Sequence, residues 1–272
     1  MAVYREKSYI CGEYLDVYVY PVYKPPGKRG KKSRPTTDTQ AKLNERHSVE
    51  KLTRQLHANF TPEDIDFEAT YRNGVVPEDS EQAKRDLQNF LARLKRYRDK
   101  HGLPPLKYIA APEKSTKGRY HHHIIMQGDI DAATLHEIWG YGRTEWNHLE
   151  FTENGLERLA KYVTKSPLYK KRVFKSKNLI DPEPRTNDYR IRSRRKAAAL
   201  AKDPEDREPW EKLYPDYHLA KAVPFHNDDN GGVYIFARLY RRDGRFIPPV
   251  RIRPKKKVVE TMQDDGKGVI NG

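Results

Sequence analysis

The stretch RYHHHIIMQ, residues 119–127, decides how the fold of this chain is interpreted. Three histidines run directly into three apolar residues, and this pattern indicates a buried strand. Alternate side chains of a strand share a face, so His121 and His123 point the same way. Two imidazoles on one face of a rigid strand supply half of a metal site. An isolated histidine pair is more often structural than metal-binding. The sequence before the pair is therefore needed to choose between these two roles.

The residues before this strand predict the first arm of a β-hairpin. Residues 106–113, LKYIAAPE, are followed by a polar turn that contains glycine, and the histidines then lie on the returning arm. If Ala111 pairs with His121, Glu113 lies one diagonal step away on the same face. A slip of one residue would send Glu113 to the other face. Glu113, His121 and His123 are therefore candidate ligands of one cation.

This donor set favours a particular kind of metal. Two nitrogens and one carboxylate leave coordination positions open, which suits a catalytic Mg²⁺ or Mn²⁺ better than a closed structural zinc.

Composition indicates a polyanionic partner. The 272 residues carry a net charge of +15, and only 36% of them are hydrophobic. Nucleic acid is the first candidate partner. An acidic membrane surface is the second, but the sequence has no long apolar segment, and we expect no membrane partner. The single cysteine, Cys11, excludes an intrachain disulfide and fits a reducing, intracellular and cytoplasmic setting.

Hydrophobic periodicity predicts the order of elements through residue 165. The predicted elements are strand 14–23, helix 39–59, strand 65–71, helix 80–100, the hairpin 106–127, helix 131–139, strand 143–151 and helix 154–165. This order predicts an α+β fold in which helices cover an antiparallel sheet.

Beyond residue 170 the chain becomes basic and rich in proline, which predicts an extension without a second large core. We expect a short basic helix at 190–201, and a strand at 232–240 that returns to the sheet. The predicted organisation has four parts: an N-terminal strand, basic loop and helix at 1–60, a main domain at 61–170, the basic extension at 171–250, and a disordered tail at 251–272.

The helix at 154–165 carries a second candidate constellation. Its apolar stripe places Tyr162 at the edge, with the ring packed and the hydroxyl exposed, and Lys165 three residues further on. Taken alone, this pattern is more typical of an amphipathic helix with a boundary tyrosine and a solvated lysine.

Taken together, the motifs resemble the HUH endonuclease superfamily, which includes rolling-circle replication initiators, relaxases and related transposases. Ile65–Tyr71 resembles the strand of the superfamily's first motif. Tyr120–Gln127 resembles its metal motif, and Lys161–Lys165 resembles its nucleophile motif. The resemblance covers roughly residues 60–170. One departure is His122, which stands where the family usually has a bulky apolar residue.

The resemblance implies a catalytic domain with an RRM-like core that nicks and joins DNA to initiate rolling-circle replication. Tyr162 would be the single nucleophile, forming a 5′-phosphotyrosyl link and freeing a 3′-hydroxyl, with Tyr169 as a possible helper. A tyrosine hydroxyl is only about one part in a thousand ionised at neutral pH, so it needs activation. The cation held by Glu113, His121 and His123 would orient the phosphate, and Lys165 would stabilise developing charge.

Several partners are expected on the same grounds. The sequence has no phosphate-binding P-loop, so a separate helicase and a DNA polymerase would act with this protein on single-stranded or hairpin origin DNA. The expected nucleic-acid contacts are Lys28, Arg29, Lys31, Lys32, Arg119, Lys161, Lys170, Lys171, Arg172, Arg192, Arg194 and Arg195.

Two alternative functions remain open. The chain could be a relaxase or transposase of the same superfamily, or a non-catalytic basic protein that binds DNA or RNA. The charge supports all of these classes, whereas a pure binding protein does not need a metal motif beside a tyrosine.

Overall fold

A computed structural model describes residues 3–23, 38–115, 118–165, 173–227 and 231–244. The strands are β1 (Val3–Cys11), β2 (Tyr14–Val22), β3 (Ile65–Thr70), β4 (Tyr108–Lys114), β5 (Tyr120–Met126), β6 (Thr144–His148), β7 (Phe174–Lys175), β8 (Arg185–Asn187), β9 (Tyr217–Asn227) and β10 (Gly232–Arg241). The helices are α1 (Asp38–Asn59), α2 (Ser80–Lys100), α3 (Ala132–Trp139), α4 (Glu157–Thr164), α5 (Arg194–Lys202) and α6 (Glu208–Leu213). The predicted α+β class is confirmed. None of the helices in the described ranges is long and apolar enough to cross a membrane.

The histidine strand lies at the centre of the first sheet, whose strand order is β6-β3-β5-β4-β7. The neighbouring strands β3 and β4 both run antiparallel to β5. The hairpin register differs from the one considered from the sequence: Ala111 pairs with His123, and Glu113 lies directly opposite His121. The difference is two residues, so Glu113 keeps the same face as both histidines.

Helices α2 and α3 cover one face of this sheet. The side chain of Asp79 caps α2 by accepting a hydrogen bond from the backbone N–H of Gln82 at 2.7 Å. The Gln82 side chain does not return to Asp79 but donates to Asp86 Oδ1 at 2.8 Å. The apolar stripe of α2 packs on the sheet, where the rings of Phe90 and Phe67 stack 5.5 Å apart. This face is therefore an apolar core, and the site must lie on the other one.

Helices α1 and α4 cover the opposite face, which carries His121 and His123. The turn before α4 packs directly on α1: the backbone N–H of Leu156 donates to His57 Nε2 at 2.8 Å. A Cβ at Gly155, whose φ is +61°, would lie 2.0 Å from that ring nitrogen. Burial keeps the pKa of His57 well below its usual range, so the ring stays neutral and accepts this bond. The contact fixes where α4 begins.

The second sheet has the strand order β8-β1-β2-β10-β9 and joins both ends of the chain. One of its faces packs on α5 and α6 around the buried ring of Trp210. The predicted extension without a second large core is therefore wrong: β9 and β10 pair with each other, and β10 pairs with β2. The strand predicted at 232–240 forms, but it joins this second sheet. The boundaries proposed at residues 60, 170 and 250 stay predictions.

A buried ion-pair network joins the second sheet to α4. The guanidinium of Arg238 on β10 donates to both carboxylate oxygens of Asp16 on β2, at 2.7 and 2.9 Å. It also donates to Glu157 at the start of α4, at 2.7 Å. Lys221 and Lys161 pair with the same Glu157 carboxylate. Burial alone would raise the pKa of Glu157, but these hydrogen bonds and charges lower it to about 2.

The Arg238→Met substitution should destabilise the protein by about 3–5 kcal/mol, because it removes both hydrogen bonds to the buried Asp16 carboxylate and leaves it only the Arg54 guanidinium, 3.9 Å away. Urea unfolding at neutral pH measures the change. Arg143→Met is the matched control, since the Arg143 side chain is 79% exposed and pairs with Glu145 at the surface. Equal losses of unfolding free energy in the two variants would show that the buried network stabilises the protein no more than a surface ion pair does.

Candidate metal centre and adjacent tyrosine

Two histidines and two carboxylates meet on the α1/α4 face of the first sheet. His121 and His123 share this face of β5, with Glu113 arriving from β4 and Glu68 from β3. Glu68 lies directly opposite His123. Three ligand atoms, one each from Glu68, His121 and His123, all lie within 4.8 Å of one another. They are close enough to bind one metal ion.

The predicted ligand Glu113 lies at the same cluster. Its Oε2 atom is 3.1 Å from His121 Nε2 and 3.8 Å from His123 Nε2. The structure thus brings the three predicted ligands together and adds Glu68, which the sequence analysis missed. The alternation of β3 put Glu68 on the polar face of its strand, but only the pairing of β3 with β5 places it beside the histidines.

The donor atoms of this cluster fit a divalent cation. Both ring nitrogens of His123 and the Oδ1 atom of Asp66 are buried, and in the described part of the chain none of them has a hydrogen-bond partner. Asp66 Oδ1 lies 3.7 Å from His123 Nδ1. Buried polar atoms without partners are costly, so they point to a ligand. A cation on Nε2 would supply the missing partner, with Asp66 orienting the ring from the other side.

The carboxylates around His123 change its acid–base behaviour. Burial lowers the pKa of this imidazole, but the nearby Asp66, Glu68 and Glu113 carboxylates outweigh that effect and raise it. His123 therefore holds its proton to a higher pH than a free imidazole. Because a metal ligand must be deprotonated, the proton competes with a cation for this ring.

Metal affinity should accordingly fall as the pH drops through the raised pKa of His123. We expect the apparent Mn²⁺ affinity to fall by about tenfold for each pH unit below that pKa, since one proton must leave the ring for each ion bound. Isothermal titration between pH 5.5 and 8.5 measures the profile. A flat profile would mean that His123 does not bind the ion.

His122 lies on the opposite face and belongs to the core. Its Nε2 atom is 2.8 Å from the Tyr71 hydroxyl, and its ring packs against Trp139. Burial, with the charges of the neighbouring histidines, lowers its pKa to about 3. The ring is therefore neutral, which explains how a histidine occupies a position that usually holds an apolar residue.

Tyr162 lies on α4 directly over the histidines. Its ring contacts the ring of His123 edge-on, with centroids 4.9 Å apart and an interplanar angle of 86°. Tyr162 is 47% exposed, so about half of the residue is open to solvent. Burial and the charges of Glu113, Glu68 and Asp66 raise its pKa. The hydroxyl therefore ionises less readily than a free phenol, and a cation on the cluster would offset those negative charges.

A cleft of about 740 Å³ opens beside Tyr162, and Lys161 and Lys165 line it too. Lys165 is exposed at the C-terminal end of α4, where its backbone N–H bonds the carbonyl of Tyr162 at 3.2 Å. Lys161 pairs with Glu157 at 2.6 Å. Lys165 thus lines the same cleft as Tyr162.

The predicted nucleic-acid contacts are not all gathered at this site. Arg119 is exposed but anchored, since it donates to the Tyr71 carbonyl at 2.9 Å and to Asn73 at 3.1 Å. Exposed Arg192 precedes α5, and Arg194 and Arg195 begin it, on the side of the second sheet away from the cleft. The predicted contacts outside the described residues are Lys28, Arg29, Lys31, Lys32, Lys170, Lys171 and Arg172, and the possible helper Tyr169 lies there as well.

In this α+β protein, two histidines and two carboxylates lie on one face of an antiparallel sheet, beneath a tyrosine of α4. They form a candidate divalent-metal centre. Residues 69–167 match the family model of the replication-associated protein ORF2. This part of the chain is similar to a rolling-circle replication initiator family, and the predicted resemblance to replication initiators is confirmed. The match supports a role in rolling-circle DNA replication. No curated protein and no solved structure matches the chain.

Proposed function

We propose that this protein is a metal-dependent single-stranded DNA endonuclease and strand transferase that initiates rolling-circle replication through Tyr162. The contact between the rings of Tyr162 and His123 carries the proposal, because it places an accessible hydroxyl beside a cluster suited to a cation. A protein that only binds nucleic acid does not need this combination. The match to a replication-initiator family over residues 69–167 supports the same conclusion.

The proposed reaction exchanges one phosphodiester bond for another. The Tyr162 oxygen loses its proton to water and attacks the scissile phosphorus, forming a phosphotyrosyl bond to the 5′ end of the strand downstream of the break. The 3′ oxygen leaves, takes up a proton and becomes a primer for synthesis. Attack by a 3′-hydroxyl on the phosphotyrosyl bond reverses the step and joins strands without ATP.

The side chains of the site have distinct parts in this reaction. His121 and His123, with Glu68 or Glu113, would hold a Mg²⁺ or Mn²⁺ that acts as a Lewis acid on the phosphate. Lys165 stabilises negative charge on the phosphate or the phenolate. The ring of Tyr162 is held against His123, so the hydroxyl needs little reorganisation to reach a bound phosphate.

A covalent adduct assay tests the proposal. The protein is incubated with a pool of labelled single-stranded hairpin oligonucleotides and Mn²⁺, and a denaturing gel is examined for a labelled protein band. We expect a band that chelation with EDTA prevents. If no oligonucleotide in the pool ever gives an adduct, the protein is better explained as a non-catalytic binding protein.

The proposed partners follow from the reaction. The substrate is single-stranded or hairpin origin DNA, and a separate helicase and DNA polymerase would unwind the template and extend the 3′-hydroxyl.

Binding of single strands should be mainly electrostatic, given the net charge of +15. The logarithm of the association constant should fall with the logarithm of salt concentration, at a slope of about −0.7 per phosphate neutralised. Fluorescence anisotropy at several salt concentrations measures the slope. An affinity that hardly changes with salt would contradict the prediction.

A further inference from the structure

The second sheet carries aromatic side chains on the face turned away from α5 and α6. Antiparallel pairing aligns Tyr18 with Phe236 and Phe225 with Tyr234 on this face. Phe225 is 40% exposed, and Tyr234 is partly exposed. Large aromatic rings that remain accessible on a sheet are suited to stacking with a planar ligand.

These rings form one wall of a cleft of about 790 Å³, and α1 forms the other. The cleft is held in shape by its own polar contacts. The Tyr18 hydroxyl donates to Glu50 of α1 at 2.8 Å and accepts from Arg54. The Arg54 guanidinium lies 4.3 Å from the centroid of the Tyr9 ring. The aromatic wall is thus largely preformed.

This cleft adjoins the one beside Tyr162. The two share the lining residues Arg46, Glu50, Val223 and Phe236. Together they make a groove, here called the aromatic groove, that runs from Tyr162 between α1 and the second sheet to Phe225.

Charge along the aromatic groove favours an anionic ligand. Eight cationic side chains line it against three carboxylates. The cations are Lys7, Lys42, Arg46, Arg54, Arg158, Lys161, Lys165 and Lys221. Glu50 pairs with Arg46, and Glu157 pairs with Lys161, Lys221 and Arg238, so five of the eight cations lie outside these pairs. The groove therefore combines positive charge with accessible ring faces.

We propose that the aromatic groove binds the single-stranded DNA that continues from the strand at Tyr162, with bases stacked on Phe225 and Tyr234. This inference rests on the proposed function of Tyr162 and assigns a binding role to the second sheet. Single strands offer both a charged backbone and free base faces, whereas a duplex keeps its bases stacked on each other. An acidic peptide would use the cations but not the rings.

Fluorescence anisotropy on the full chain without divalent metal tests the groove. The probes are labelled oligothymidylate and an abasic oligonucleotide of the same length, which keeps the phosphates but lacks bases. Phe225→Ala should weaken oligothymidylate binding roughly 5- to 150-fold, the effect of losing one base-stacking partner, and leave abasic binding unchanged. Phe225→Leu keeps an apolar side chain on the strand and should also lose affinity for oligothymidylate.

Tyr189→Ala is the matched control, because Tyr189 is 85% exposed and does not line the groove. Thermal unfolding measures whether each variant is folded. If Phe225→Ala is not folded, the binding measured for Phe225→Leu decides the test. Unchanged oligothymidylate binding, equal losses on both probes, or competition by polyglutamate as strong as that by oligothymidylate would overturn the proposal.

The adduct assay separates this inference from the function on which it rests. If wild-type protein forms the adduct but Phe225 variants bind oligothymidylate normally, only the groove proposal fails. If no adduct forms while the base-dependent loss at Phe225 is seen, base stacking in the groove is supported and the Tyr162 chemistry is overturned.

Discussion

The Tyr162→Phe substitution is expected to abolish the covalent protein–DNA adduct, because it removes the only atom proposed to attack phosphorus. The phenyl ring keeps its edge-on packing against His123, so fold, metal affinity and DNA binding should survive. The denaturing-gel assay measures the adduct, and thermal unfolding, Mn²⁺ titration and anisotropy measure the retained properties. The expected loss is complete within the sensitivity of the gel.

Tyr189→Phe is the control for this experiment, since it removes a tyrosine hydroxyl from an exposed position outside the cleft. It should form the adduct at the wild-type rate. An adduct that persists in Tyr162→Phe would mean that another residue is the nucleophile, and Tyr169 would be examined next.

The His121→Ala and His123→Ala substitutions should strongly weaken metal binding, since each removes a nitrogen from the cluster. Some adduct formation should return at high Mn²⁺ concentration, because a weakened site still fills by mass action. Electron paramagnetic resonance of free Mn²⁺ measures affinity, and the gel measures activity in the same samples. Rescue by Mn²⁺ would distinguish these variants from Tyr162→Phe, which no metal concentration should restore.

His122→Leu is a control on the same strand. This side chain points to the opposite face and bonds Tyr71, so Mn²⁺ affinity should remain close to that of the wild type even if stability changes. Glu68→Gln and Glu113→Gln then identify the carboxylate ligand, because each keeps the side-chain size and removes the charge. Wild-type Mn²⁺ affinity in both glutamine variants would contradict a carboxylate in the metal site.

The shared face of His121 and His123 could be predicted because it depends only on strand parity. The same parity kept Glu113 on that face although the register differed by two residues. Helical periodicity likewise predicted α2, and the place of Tyr162 at the edge of α4, from local spacing. These features depend on local sequence spacing, so they can be predicted without knowledge of the tertiary structure.

Long-range pairing could not be predicted in the same way. Glu68 reaches the site only because β3 lies beside β5, and their paired residues are more than fifty positions apart. The second sheet was missed because its strands come from both ends of the chain, and β9 carries a proline and several polar residues. Arg238 lies within the strand predicted at 232–240, and only its long-range pairing with Asp16 and Glu157 explains why this cation is buried.

The Arg238 network also sets an order of events during synthesis of the protein. A ribosome completes Asp16, Glu157 and Tyr162 before Arg238, so the nascent chain first carries α4 without the cation that joins it to the second sheet. Until β10 emerges, the two carboxylates must stay hydrated, and burying them would be unfavourable. We therefore expect α4 to reach its final position only once translation has passed residue 238, so the proposed reaction of Tyr162 would have to wait for the synthesis of β10.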